Sequence, residues 1–354
     1  MKVSAVGASE YKYLMSVEAS SAEVNQCLVD GVADFLARVG AKPMEPGETL
    51  DQALVNRFGE DHADMARANI VINSLLPLAL NQADLLPACS PIPLDPAFPE
   101  AGKTYSFDAE VYVLPEMELE NYDAPKAVVK KVRISGRDID NQLYAIAHEF
   151  ATVEKDPETG IEAEQLPSIT DEWVRDIFPD ESVNTAKELR AFVRTALEAA
   201  AEQDLEQEKV NAAVAVMGRR LVGEVPEEIV QIMAADMLAQ VQEDAINNGQ
   251  ILEIALRDAG SSLESFKAEI AEQARATVIE NLVMDAIFRH FEMELSPQDI
   301  ELTIQGIAST ADPENLEEAY ENLHAMADSP AVLEVARRMK AGQWVAENAE
   351  VTVA

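Results

Sequence analysis

The side chains that could do chemistry are few and scattered. The four histidines, His62, His148, His290 and His324, stand far apart, without the spacing of metal ligands. His148-Glu149 opens like a zinc-protease helix, but no second histidine follows one turn later, so the pair reads as part of a helix surface. Asp156, Glu158 and Gly160 vaguely resemble a calcium loop. Pro157 interrupts it and the later oxygen ligands are missing, which favours a solvated turn. Cys27 falls on an apolar helical stripe, and with Cys89 it makes neither a disulfide framework nor a ligand cluster. Acid pairs such as Glu227-Glu228 and Glu317-Glu318 would suit general acid–base work. Among 65 Asp and Glu they read instead as solvated charges at helix starts, where the macrodipole favours them. There is no G-x-G-x-x-G, Walker loop, G-x-S-x-G or H-E-x-x-H. The expectation is a protein that is not an enzyme and uses no cofactor and no metal.

Charge narrows the field further. Against those 65 acids stand 27 Lys and Arg, a formal charge of −38. A general nucleic-acid binder needs cations to displace phosphate counterions, and a surface this acidic also repels anionic lipid headgroups. No direct nucleic-acid contact and no membrane contact are therefore expected. The 48% hydrophobic content is ordinary for a globular chain. Aromatics at 5%, with Ala, Leu, Val, Glu and Met abundant, favour helices over sheets. Gly7, Glu10 and Lys12 break the start of the chain, so no targeting leader is read there. No apolar run reaches the roughly 18 residues that spanning a bilayer needs. A cytoplasmic protein is expected, and at about 150 residues per domain its 354 residues suggest two domains.

Patterning divides the chain into three parts. In residues 1–117, Tyr11 to Glu18 and Tyr105 to Val113 alternate as half-buried strands do. Helices are expected from Ser21 with Glu23, from Thr49 to Phe58, and from Ala63 to Leu86, where Pro77 should kink or end the run. Lys42 to Glu48, with Pro43, Pro46 and Gly47, is a loop, and Cys89 to Pro99 is extended. Residues 118–164 hold a basic stretch (Lys126, Lys130, Lys131, Arg133 and Arg137), a short helix through Ile139, Leu143, Ile146 and Phe150, and a polar turn. Residues 165–354 read as nearly all helix. Thr185 with Glu188 is a capping box that starts a run from Lys187 to Val222, about 54 Å at ~1.5 Å per residue, part of which should project as an arm. Further helices start at Pro226 and at Ser261 with Glu264, and at Ser296-Pro297, Asp312-Pro313 and Ser329-Pro330. The fold class is thus an α+β N-terminal domain, helices on a small antiparallel sheet, followed by a mostly α-helical C-terminal domain with projecting helical arms.

Methionine is enriched in the helical part, and surfaces that accept many partners over-use this flexible, polarizable side chain. Ordinary core filling explains any one methionine equally well. On a projecting helix the candidates for polypeptide contact are Met217, Leu221, Met233, Met237 and Val241.

Several stretches resemble trigger factor, a bacterial chaperone family. Leu50 to Gly59 (LDQALVNRFG) is similar to the family's helix ending in Arg-Tyr-Gly. Tyr105 to Leu119 (YSFDAEVYVLPEMEL) resembles its last N-domain strand, and Leu166 to Trp173 (LPSITDEW) the segment leading into its C-terminal domain. Two departures qualify what the resemblance implies. About a hundred residues, the family's FK506-binding type isomerase domain, are missing before Gln165. The family's basic ribosome-docking loop corresponds here to Pro43, Met44, Glu45, Pro46, Gly47 and Glu48. The resemblance then implies an ATP-independent chaperone that holds unfolded or nascent polypeptides in a cradle of arms. Isomerase activity is not expected, and ribosome contact should be weak or lost. A dedicated escort for one basic protein partner is the alternative, and a homodimer is possible.

Overall fold

Two strands open the chain as a hairpin, β1 (Lys2–Gly7) and β2 (Lys12–Ala19). This is a computed structural model, and it describes residues 1–99, 102–155, 162–178, 183–258, 260–311 and 315–354. α1 (Ser21–Arg38) begins at a capping box in which Ser20 and Glu23 satisfy each other's free backbone donors, so the cap is Ser20 rather than Ser21. Thr49 and Gln52 do the same for α2 (Leu50–Phe58). α3 (Glu60–Ala83) runs through Pro77 and ends six residues beyond it, so that proline does not stop the helix. β3 (Ile92–Leu94) and β4 (Tyr105–Tyr112) follow. Next come β5 (Glu118–Leu119), β6 (Lys126–Val129), α4 (Gly136–Glu149), β7 (Thr152–Lys155) and β8 (Glu162–Gln165). The loop of Asp156, Glu158 and Gly160 lies outside the described residues.

α5 (Asp171–Ile177) leads to α6 (Ala186–Gly218), whose 33 residues span about 50 Å at ~1.5 Å each. α6 stops at Gly218 instead of reaching Val222, because Leu221 and Val222 form β9 (Leu221–Val222). Then come α7 (Glu227–Asn247), α8 (Leu252–Asp258) and α9 (Leu263–His290). α9 is capped by Ser262 with Ser265, one residue on from the expected pair. α10 (Pro297–Ala308), α11 (Leu316–Ala325), α12 (Pro330–Asn348) and β10 (Glu350–Val353) complete the chain. Residues 312–314, including the expected Asp312-Pro313 start, lie outside the described residues, and α11 takes Asn315 as its cap.

The chain makes two compact units. One comprises Met1–Tyr122 with Arg220–Gln343, the other Asp123–Arg219 with Trp344–Ala354. In the first, a four-stranded sheet of order β1-β2-β4-β3 is antiparallel throughout. Met15, Val17, Phe107, Ala109 and Val111 on its inner face pack on Val71, Ile72 and Leu75 of α3. α1, α2 and α3 enclose a second cluster around Leu36, Leu54 and Ile70. Where the chain leaves this unit and returns, β5 pairs with β9, Leu119 opposite Leu221. There Tyr112 and Met117 meet Ile229 and Val230 of α7 and Ala274, Val278 and Leu282 of α9.

In the second unit, α4, α5 and α6 close over Ile139, Leu143, Val174, Leu189 and Val193. β6 pairs in parallel with β10, Lys126 opposite Glu350. α6 is buried at both ends, but between Arg194 and Asn211 Leu205 alone is buried, among the described residues. This is the middle of the helix whose length led to the expectation of a projecting arm.

Candidate polypeptide-binding surfaces

The five apolar candidates separate into three environments. Met217 is fully buried near the end of α6 and offers no surface to a partner. Leu221, expected on a helix, lies on β9 instead and packs partly buried with Met117 and Ile229. The helical stripe continues in register from Met217 to Leu221, so periodicity could not reveal the turn between them. Met233, Met237 and Val241 are half-buried along α7. The first turn of α7 is anchored by Ile229 and Val230, and beyond them the helix buries no residue completely.

That loosely held helix leads to a surface that sequence patterning missed. α7 and α9 pack side by side, and the α7–α8 turn at their end exposes Ile246 (71%), Ile251 (60%) and Ile254 (44%). Gly249, at φ +67°, makes the turn, and the Gln250 N–H closes it by donating to the Ala245 carbonyl at 2.8 Å. Three large aliphatics left exposed within nine residues give this turn apolar surface of the kind that marks an interaction site. The available signal was the INNGQI run, a turn flanked by isoleucine where polar residues are usual.

The loop at Pro43–Glu48 is fixed from within. Arg57 donates to the carbonyls of Lys42, Pro43 and Ala53, and its Nη1 lies 3.0 Å from Glu48 Oε1. The Asn56 amide and the Glu45 N–H, each 3.0 Å away, also donate to the Glu48 carboxylate. Arg57 first, then these donors, hold Glu48 down at about 2. Met44 turns inward against the α1–α2 cluster. Only Glu45, Pro46 and Gly47 are left as the exposed tip with Pro43, and Gly47 takes φ +87°. The tip therefore presents one carboxylate and no cation.

A cleft of about 670 Å³ also opens in the first unit, between the 84–88 and 113–116 segments and α9 and α12. Arg338 grips Asp285 through two bonds of 2.9 Å and also pairs with Glu334, whose carboxyl is pushed above its usual range by burial. The guanidinium is spoken for, so this is a structural lock. Two further reactive groups are restrained as well. His290 stacks on Tyr122 at 3.6 Å between ring centres. Burial, aided by Asp236, pushes the Cys89 thiol up to about 11, which keeps it protonated and a poor nucleophile. Among the described residues no three His, Cys, Asp or Glu are placed to hold a metal ion, and no helix is long and apolar enough to cross a membrane.

Two family models match the chain: "Bacterial trigger factor protein (TF)" over residues 1–146 and "Bacterial trigger factor protein (TF) C-terminus" over 185–347. The chain belongs to the trigger factor family. A trigger factor of Bacillus subtilis (strain 168) is 28% identical over 168 residues, 47% of this chain and 39% of that protein. One from Bacillus cytotoxicus is 26% identical over 148 residues, 42% of this chain and 34% of that protein. These alignments cover only about a third to two fifths of the curated trigger factors. A solved structure described as "Promiscuous Substrate Recognition in Folding and Assembly Activities of the Trigger Factor Chaperone" aligns over 98% of this chain and 99% of that one. Its TM-score of 0.37 and 11% identity are too low to bear on fold.

Proposed function

We propose that this trigger factor family member is an ATP-independent chaperone that holds unfolded or nascent polypeptides through separated apolar side chains in an acidic surround. The observation that carries the reading is the isoleucine patch at the α7–α8 turn, reached along a helix whose Met233, Met237 and Val241 are only half covered. An unfolded client would bury apolar surface there at ~25 cal/mol per Å² removed from water. The −38 charge would keep the complex soluble and favour basic segments of the client. Without a nucleotide loop, release follows from weak, distributed affinity. Met217 drops out of the proposed surface because it is buried, and Leu221 contributes at most an edge.

Two refinements belong to the same reading. The docking loop opposes rRNA phosphate, since its exposed tip carries Glu45 and no cation, and Arg57 beneath it is paired with Glu48. Ribosome contact is therefore weak or lost, and co-sedimentation with ribosomes at moderate salt would contradict this. The segment between the two matched regions, residues 147–184, is shorter than the ~50 residues of a small domain, which supports a chaperone without isomerase activity. Turnover of a proline-containing test peptide above the buffer rate would oppose it. The main test is aggregation of a chemically unfolded client with equimolar protein: scattering should rise more slowly, and an unchanged rise would end the reading. Capture of a single dominant basic protein from lysate would favour the escort alternative.

A further inference from the structure

Five of the chain's 27 Lys and Arg fall between Lys126 and Arg137, with no acid among them. Three of these five, Lys130, Lys131 and Arg133, pair with no carboxylate among the described residues. The backbone shows how they are displayed. On β6 and its continuation, Ala127 and Val129 are buried, while Lys126, Val128 (69% exposed), Lys130 and Val132 (68%) face out. The odd-numbered residues also turn their peptide groups to β10. The Pro125 and Val129 carbonyls accept from Glu350 N–H and Ala354 N–H at 2.9 Å, and Lys131 N–H donates to the Ala354 carbonyl at 3.3 Å. By alternation, the peptide groups of Lys126, Val128 and Lys130 point to the opposite edge, where no further strand pairs among the described residues.

We propose that this outer edge of β6 is a docking site for an extended polypeptide segment in which acidic and apolar residues alternate. A strand added here would take its main-chain bonds from Lys126, Val128 and Lys130 and set its side chains against a Lys-Val-Lys-Val row. The pairing already present on the inner edge shows the preferred pattern: Glu350 lies opposite Lys126, with its carboxylate 2.9 Å from Nζ. Beside the row, a groove of about 200 Å³ is lined by Val132, Ile134, Leu197 and Leu205 together with Lys130, Asp204 and Glu208, so it would take an apolar side chain of the arriving segment and leave that segment's carboxylates to the lysine row. Edge lysines ordinarily repel an apolar or basic strand. The same lysines admit a strand carrying carboxylates, since opposite charges across a ladder attract and like charges repel. Valines between the cations, and no aromatic from Lys126 to Arg137, suit a peptide better than bases that need stacking platforms. The site selects acidic segments, whereas the apolar patch of the proposed chaperone surface selects basic ones, so the two readings stand or fall separately.

Fluorescence anisotropy on the full chain tests this with three labelled probes: a twelve-residue peptide alternating Glu and Val, one alternating Lys and Val, and a single-stranded dT dodecamer. The Glu/Val peptide should bind best and weaken with salt. K130E should weaken it roughly five- to tenfold, an attraction lost and a repulsion gained. Val128→Pro should abolish it, because it removes an outward N–H while leaving the β10 ladder its bonds. Circular dichroism checks that both variants keep their helices, and client aggregation should be suppressed as before. Tighter binding of the Lys/Val peptide or of dT would overturn the proposal. So would unchanged binding by Val128→Pro, or no binding of any probe near ~1 mM, which would leave the lysines as guards of the edge. If both variants lost client suppression together with peptide binding, the edge would belong to the client surface and the separate site would be refuted.

Discussion

Replacing Ile246, Ile251 and Ile254 together by Gln tests the apolar patch at the α7–α8 turn. Their exposures of 71%, 60% and 44% amount to rather less than two whole isoleucine side chains of surface open to a client. Fully burying one such side chain contributes ~1.5–3 kcal/mol, so the patch offers roughly 3–5 kcal/mol in gross terms. Immobilising the three side chains takes back ~0.5–1.5 kcal/mol each, about 3 kcal/mol in all, which leaves about 1 kcal/mol of binding. The triple variant should therefore bind an unfolded client roughly fivefold more weakly. Its stability should change little, because Gln is at least as good a helix former as Ile and exposed substitutions stay within about 0.5 kcal/mol each. The assay is anisotropy of a labelled, permanently unfolded client, with light scattering from its unlabelled form as the functional readout. Unaltered affinity in a variant with parental circular dichroism would refute the reasoning, since it would mean that clients do not use the apolar patch at the end of the helical pair.

Other outcomes follow from the packing. Ile229→Ala, at the fully buried foot of α7, should destabilise the protein by about 2–5 kcal/mol in denaturant melts. Glu48→Gln tests the Arg57 clamp by pH. Folding lowers this carboxyl from an ordinary 4.5 to about 2, so its contribution is complete above about 4.5 and is lost as pH falls towards 2. The stability gap between parent and variant should shrink across that window, and a gap that holds constant would place the clamp's benefit elsewhere. Two glycines should respond with opposite sign. A Cβ on Gly31 would meet Ile70 Cγ2 at 2.9 Å where α1 crosses α3, so Gly31→Ala should lose about 0–2 kcal/mol once overpacking offsets the better helix propensity. Gly306→Ala, whose nearest neighbour is Met339 Cε at 3.8 Å, should gain ~0.5–1 kcal/mol in the same chemical melts.

Much of the helical framework could be read from local chemistry. Thr49 before Gln52, Thr185 before Glu188 and Ser296-Pro297 are signals contained within four residues, and each marks a helix start in the structure. Where two serines adjoin, the cap fell one residue away: Ser20 was one such case, because its partner Glu23 sits at the third helical position. The strands that escaped notice lack any periodic cue. β1 is exposed at every position except the half-buried Val3, and β9 is two residues long with its partner about a hundred positions upstream. The candidate surface was legible only in part. Methionine enrichment pointed to α7, but burial of Met217 and the strand position of Leu221 depend on packing between distant segments, and the exposed isoleucines left no periodic signature, only the INNGQI turn run.

The β5–β9 pair brings Leu119 and Leu221 side by side and ties Glu120 N–H to the Arg220 carbonyl at 2.7 Å, so the first unit is sealed by two pieces of chain made far apart in time. With 97 residues between Tyr122 and Arg220, a ribosome moving at ~5–20 residues per second needs roughly 5–20 s to supply the second piece. Throughout that delay Tyr112 and Met117 wait without Ile229 and Leu282 to cover them. During its own birth, the molecule is thus a sticky, half-finished guest in need of the same shelter it is proposed to give.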